Sequence, residues 1–120
     1  TGVTAHASER RSQAENLTVA LRRLRVNLAL QVRVDWAEPS RRWRSRCRDG
    51  RLRVNSRHAH FPALLAEVMD ALKAHAQNLP GAADRHGCTS SQILRLYRDE
   101  PRGLQILTEH RRERGLHPLR

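Results

Sequence analysis

The stretch SERRSQAENLTVALRRLRVNL, residues 8–28, decides how the first third of the chain folds. Ser12 followed three residues later by Glu15 forms a capping box, a pair that satisfies the free N–H groups at the start of a helix. Four leucines then recur at helical spacing along one face: Leu17, Leu21, Leu24 and Leu28. The stretch therefore predicts a long helix from about residue 13 to about residue 32, whose other faces carry a basic stripe.

Upstream of this helix the pattern changes. Residues 1–7 alternate small or β-branched residues with polar ones after the turn-forming Gly2, which is typical of the second strand of a hairpin. Residues 8–13 are polar and charged and predict a loop that joins this strand to the helix.

Downstream, residues 33–60 have no sustained periodicity, and they hold eight arginines between positions 41 and 57 against one acid, Asp49. We interpret this segment as a basic linker in which residues 51–55 can form a short strand. Trp36 and Trp43 lie within it. They can stack on bases, but a Trp that anchors the linker onto a helix is the commoner arrangement.

From residue 61 onward the chain is punctuated like a small helical bundle. Pro62, Pro80 and Pro101 are each placed to begin a helix, and Thr89 or Ser90 can cap another. The two middle helices have helix-turn-helix spacing. The predicted fold is mostly α, with a short N-terminal β strand, a long helix and a helix-turn-helix-like bundle, and the predicted segments are residues 1–33, 34–60 and 61–120.

The charge of the chain points to a polyanionic partner. The formal net charge is +11, and residues 1–60 carry 14 Arg or Lys against 5 Asp or Glu, whereas residues 61–120 carry 9 against 7. Such an excess attracts nucleic acid through counterion release and long-range steering. The first half of the chain is therefore the predicted footprint.

Several classes of protein are disfavoured. A chain of 120 residues is too short for a large enzyme with an elaborate pocket. Cys47 and Cys88 are far apart, and the His58-x-His60 pair matches no zinc spacing, so neither a disulfide framework nor a metal site is predicted. No apolar run approaches the roughly 20 residues of a membrane span. We expect a cytoplasmic monomer without a cofactor.

The most specific motif lies at the start of the long helix. Arg11-Ser12-Gln13, then Asn16, Ala20-Leu21 and Leu24-Arg25, resemble the segment that follows the Gly-Gly-Gln loop in class I peptide chain release factors and their release-factor-like relatives. Thr1-Gly2-Val3 is similar to the start of a strand in the same family. The resemblance covers about residues 1–30, and a looser one links residues 52–119 to a C-terminal extension on some bacterial release-factor-like proteins.

The resemblance implies action on the ribosome in translation termination or rescue, with ribosomal RNA and peptidyl-tRNA as partners. In the family the Gly-Gly-Gln loop promotes hydrolysis of the peptidyl-tRNA ester. No Gly-Gly-Gln occurs in this sequence, so no catalytic residue is assigned. We expect that the sequence is a fragment and that this loop lies upstream of Thr1, the alternative being that the chain has lost its chemistry.

These observations give a set of expected RNA contacts. They comprise the polar residues of the motif and the arginines of the helix: Arg10, Arg11, Ser12, Gln13, Asn16, Arg22, Arg23 and Arg25. The linker arginines add non-specific affinity for RNA: Arg41, Arg42, Arg44, Arg46 and Arg48. Two other hypotheses stay open. One is a helix-turn-helix DNA-binding regulator with a basic arm, and the other is a non-catalytic decoy that occupies ribosomes.

Overall fold

The structure, a computed structural model, describes residues 2–55 and 57–119, with side chains from Ser12 onward. The chain is mostly helical, as predicted, with a two-stranded antiparallel sheet. Its elements, in order, are α1 Gly2–Gln31, α2 Arg41–Arg46, β1 Cys47–Arg48, β2 Arg51–Leu52, α3 Phe61–Ala74, α4 Leu79–Arg85, α5 Ser90–Arg98 and α6 Pro101–Glu113. The molecule measures 60 × 32 × 27 Å, and its length reflects the 30 residues of α1.

The prediction of a strand over residues 1–7 and of a loop over residues 8–13 is wrong where the chain is described, since α1 begins at Gly2. Thr1 lies outside the described residues. An unpaired strand leaves its backbone N–H and C=O groups without partners, whereas a helix satisfies them within itself. Residues 3–13 contain neither Pro nor Gly to stop the helix, so Ser12 is an interior helical residue and not a cap.

The core lies between the four C-terminal helices. Leu64, Leu65 and Val68 of α3 are fully buried and pack with Ile93 of α5 and Leu107 of α6. The predicted starts of these helices are confirmed: Pro62, Pro80 and Pro101 each lie in a first turn, and the Thr89 hydroxyl accepts a hydrogen bond from the N–H of Gln92. Local signals therefore fixed the bundle's boundaries.

The basic segment is more ordered than the sequence predicted. Trp43 of α2 is 1% exposed, belongs to the core, and donates its indole N–H to the His86 carbonyl at 2.9 Å. The interpretation of Trp43 as an anchor is thus confirmed. Ser40 caps α2 by accepting the N–H of Trp43. The division of the chain into domains at residues 33 and 60 stays a prediction.

Helix α1 packs against α3 with an unexpected face. Val26 and Ala29 are buried, while the leucine face, consisting of Leu17, Leu21, Leu24 and Leu28, is 42–60% exposed. Polar partners select this orientation, because Arg22 and Asn27 bond to residues of the body and Arg33 pairs with α3. None of the described helices combines the length and the apolar composition that crossing a bilayer requires.

Candidate nucleic-acid interface

Few of the basic side chains are neutralised by the protein itself. Among the described residues, carboxylates pair with Arg33, Arg44 and Arg102 within 4.0 Å. The chain has 23 Lys and Arg. Since a pair on the surface contributes little, most of this charge stays available to an external polyanion.

The polar residues of the release-factor-like motif lie on one exposed helical segment. Ser12, Gln13 and Asn16 are all exposed on α1. Arg10 and Arg11 belong to the same helix, but their side chains lie outside the described part of the chain. The predicted contacts at this end are therefore on a helix and not on a loop, which spreads them around its axis at 100° per residue.

The arginines of the second half of α1 have different surroundings. Arg23 is exposed, whereas Arg22 donates from Nη2 to the Arg57 carbonyl at 2.7 Å and so ties the helix to the basic segment. Arg25 and Arg42 of α2 both line a groove of about 530 Å³. The structure thus brings two of the predicted arginines together from distant parts of the sequence.

This groove has an apolar floor and a basic rim. Its floor includes Leu28, Val32 and Pro62, and His60 joins Arg25 and Arg42 at the edge. Burial lowers the pKa of His60, and the positive charges of Arg42, His58 and Arg46 lower it further. Asp70 also lines the groove, so its lining carries two arginines against one carboxylate.

Helix α2 exposes three arginines, Arg41, Arg42 and Arg44, and a contact with α3 holds this helix in place. The Glu67 carboxylate accepts from the Ser40 N–H at 2.6 Å and from its hydroxyl at 2.7 Å, so the cap of α2 is held on α3. Arg44 also lies 3.4 Å from Glu38 in an exposed pair. The short helix presents its arginines on a rigid support.

Sequence reasoning allowed a short strand at residues 51–55, where β2 lies, but missed the basic hairpin that this strand forms with β1. Strands β1 and β2 pair with Cys47 opposite Leu52 and Arg48 opposite Arg51, and Asp49 and Gly50 both have positive φ in the turn between them. A two-residue Asp-Gly connection is a strong local signal for such a turn. Read together with the basic residues on either side, that signal would have identified the hairpin.

The helix-turn-helix part contributes less than expected. Helices α4 and α5 are joined by four residues, 86–89, and Ser91 and Arg95 are exposed. Gln92, on the same helix, accepts the N–H of Leu52 at 3.2 Å through its side-chain oxygen. The residue therefore holds the hairpin on α5.

In residues 2–55 and 57–119, no group of three or more His, Cys, Asp or Glu side chains is arranged to hold a metal ion. Comparison of the chain with protein-family models, with curated proteins and with solved structures finds no match. The resemblance to release factors therefore rests on the sequence motifs alone.

Proposed function

We propose that this chain is an RNA-binding part of a peptide chain release factor-like protein that acts on the ribosome in translation termination or rescue. The observation that carries the proposal is that α1 exposes Ser12, Gln13 and Asn16 and, further along the same helix, Arg23 and Arg25, which form no ion pair with a carboxylate of the described residues. Polar side chains and arginines on one exposed helix suit contacts to RNA phosphates and sugars.

The distribution of charge supports the same partner. Residues 1–60 carry a net charge of +9, from 14 basic and 5 acidic residues. One arginine of α1 and one of α2, Arg25 and Arg42, line the same groove, so part of this charge is brought together by the fold. Ribosomal RNA is a partner with the opposite charge and an extended surface.

The proposal assigns binding, and not hydrolysis, to these residues. The family's chemistry requires a Gly-Gly-Gln loop, which this sequence does not contain. The expected activity of the chain is therefore ribosome binding without release of peptide from peptidyl-tRNA.

The test is a measurement of ribosome affinity over a range of salt concentrations. Replacing Arg23→Gln and Arg25→Gln is expected to weaken binding about tenfold or more and to lower the salt slope by about one to two, because two phosphate contacts are lost. The matched control, Arg112→Gln with Arg114→Gln, removes two exposed arginines beyond the middle of α6. Equal losses in both variants would contradict a specific role for α1.

The α4–α5 pair is also compatible with a second function, that of a helix-turn-helix DNA-binding regulator. Its second helix offers Ser91, Arg95 and Arg98 as exposed side chains. A regulator would bind a duplex DNA site in the presence of excess ribosomal RNA, whereas the proposed function predicts that ribosomal RNA displaces duplex DNA. Competition gel shifts with the full chain separate the two.

A further inference from the structure

The basic hairpin places four arginines on one side of a two-stranded ribbon. Cross-strand partners point to the same face, and successive residues alternate between faces. Arg48 lies opposite Arg51, and the Arg53 N–H bonds the Arg46 carbonyl at 2.8 Å, which continues the same register by one pair. By this register Arg48, Arg51 and Arg53 share one face, and Cys47 and Leu52 occupy the other, against the core. Arg46, the last residue of α2, lines the same cleft as Arg48 and Arg53.

This arrangement carries an electrostatic cost that no ion pair among the described residues offsets. Like charges directly opposite each other destabilise a sheet. Arg48, Arg51 and Arg53 are exposed, and among the described residues no carboxylate lies within salt-bridge distance of any of the four arginines. Arg46 contacts the ring of His58, a group that brings no negative charge at neutral pH.

The ribbon is nevertheless held in place. Gln92 accepts the N–H of Leu52, and Cys47 follows directly on the α2 helix that Trp43 anchors in the core. The arginines therefore extend from a fixed support, so a ligand needs to order little more than the side chains themselves.

We propose that the outer face of this hairpin, formed by Arg46, Arg48, Arg51 and Arg53, binds successive phosphates of an RNA strand. The inference rests on the proposed RNA-binding function and assigns its phosphate-binding element to a part of the chain outside the release-factor-like motif. An anion on this face removes the repulsion between Arg48 and Arg51, so binding and hairpin stability support each other.

The shape of the face favours a chain of phosphates over a single ion. Neighbouring positions on this face are about 5 Å apart across the ribbon and about 7 Å apart along it, so the four side chains are distributed along the ribbon and suit a ligand with several phosphates. The adjoining open cleft, about 380 Å³, is lined by Ser45 and Asp49 besides three of the arginines and contains no aromatic ring on which a base can stack. Binding here is therefore expected to depend on phosphate charge and not on base sequence.

The test is the affinity of the full chain for a fluorescein-labelled 20-nucleotide polyuridine RNA, measured by anisotropy from low to moderate salt. For Arg48→Gln with Arg51→Gln, the expected result is a dissociation constant about tenfold higher and a salt slope lower by about 1.4, which is two contacts at 0.7 each. The Arg112→Gln and Arg114→Gln control is expected to stay within about twofold of the parent chain.

Two further measurements separate loss of charge from loss of shape. Gly50→Val keeps every arginine but places a β-branched residue at φ +76°, so it is expected to weaken RNA binding while leaving the net charge unchanged. Thermal unfolding of the Arg48→Gln and Arg51→Gln chain should show no loss of stability, because a repulsive pair has been removed.

The outcomes distinguish this inference from the proposed function. Parent-like RNA binding by the hairpin variant, with loss in the Arg23→Gln and Arg25→Gln chain, overturns the hairpin site and leaves the function standing. Absence of RNA binding by the parent chain overturns both. If tripolyphosphate, added as a competitor, binds the hairpin more tightly than the RNA does, the ligand is a small polyphosphate and the assignment to RNA fails.

Discussion

The guanidinium of Arg33 lies 3.1 Å from the carboxylate of Asp70, and this ion pair joins the end of α1 to the middle of α3. The side chains are 16% and 7% exposed. Asp70 also accepts the N–H of Val34 at 3.1 Å, and Arg33 donates to the carbonyls of Ala29 and Ala66. The pair therefore fixes where α1 leaves the body of the molecule.

Replacing Asp70→Ala is expected to lower the free energy of unfolding by about 3 kcal/mol, because it leaves a largely buried guanidinium without its counter-charge. Burial already opposes the charge, since it lowers the pKa of Arg33 and raises that of Asp70. Urea denaturation measures the change. Replacing both partners, Arg33→Met with Asp70→Leu, should recover most of the loss, and a single variant within 1 kcal/mol of the parent would refute the prediction.

Substitutions in the leucine face of α1 are expected to have little effect on the free energy of unfolding. Leu21→Gln with Leu24→Gln should change the free energy of unfolding by less than about 0.5 kcal/mol per site, because both side chains are exposed. Leu64→Ala, at a fully buried position of α3, should cost about 3 kcal/mol. A comparable loss in the two variants, measured by thermal or urea unfolding, would show that the leucine face is buried in solution.

These two contrasts show what local sequence reasoning can predict here. Helices α3 to α6 were found because Pro62, Pro101 and the Thr89 cap act within a few residues of where they stand. The face that α1 buries was not found, because it depends on Asp70, 37 positions after Arg33 along the chain. A stripe of leucines predicts an apolar surface but not what covers it.

The candidate site likewise has some features that local sequence predicts and others that depend on tertiary contacts. Exposed arginines on α1 and α2 follow from composition and helical spacing, whereas the meeting of Arg25 with Arg42 depends on how α1 crosses α3. The hairpin carried a readable turn signal at Asp49-Gly50. Its alignment depends on Gln92, a bond between residues 40 positions apart that spacing rules do not predict.

His86 makes the fold sensitive to acid. Its ring is 3% exposed and stacks on Trp36 at a centroid distance of 5.0 Å, with Trp43 at 4.5 Å, and Glu67, His75 and Arg85 are the charged or titratable groups that act on it. Nδ1 donates to the Ala82 carbonyl, and Nε2 is buried without a partner. Burial lowers the pKa of His86 below its ordinary 6.5, so the neutral ring is the folded form.

Because the unfolded chain then binds the proton more readily, stability is expected to fall as the pH drops below about 6.5, by up to ~1.4 kcal/mol per pH unit for this group. Urea unfolding between pH 7.5 and 5 measures the slope. His86→Phe should reduce the slope of the unfolding free energy against pH by the contribution of one titrating group. The contribution of His60, whose pKa is also lowered, should remain. The control variant, His117→Phe at an exposed position, should retain the parent slope. An unchanged slope in His86→Phe would show that protonation of His86 does not cause the loss of stability.

Cys88 is expected to be almost inert toward alkylation in the folded chain. Burial, and to a lesser extent the neighbouring Cys47, raise the pKa of this thiol to about 12. Since the thiolate is the nucleophile, a rise from the ordinary 9.0 reduces the reactive fraction at pH 8 about 1,000-fold. Iodoacetamide labelling of a Cys47→Ser chain, followed by intact mass, should therefore be very slow in buffer and rapid in urea.

The Cys88→Ser chain is the matched control, because Cys47 is also half-buried with a raised pKa. Its labelling rate shows how far burial alone protects a thiol in the hairpin. A folded Cys88 that reacts within tenfold of its rate in urea would mean that the α4–α5 turn opens readily, and that the support on which Gln92 holds the hairpin is not rigid.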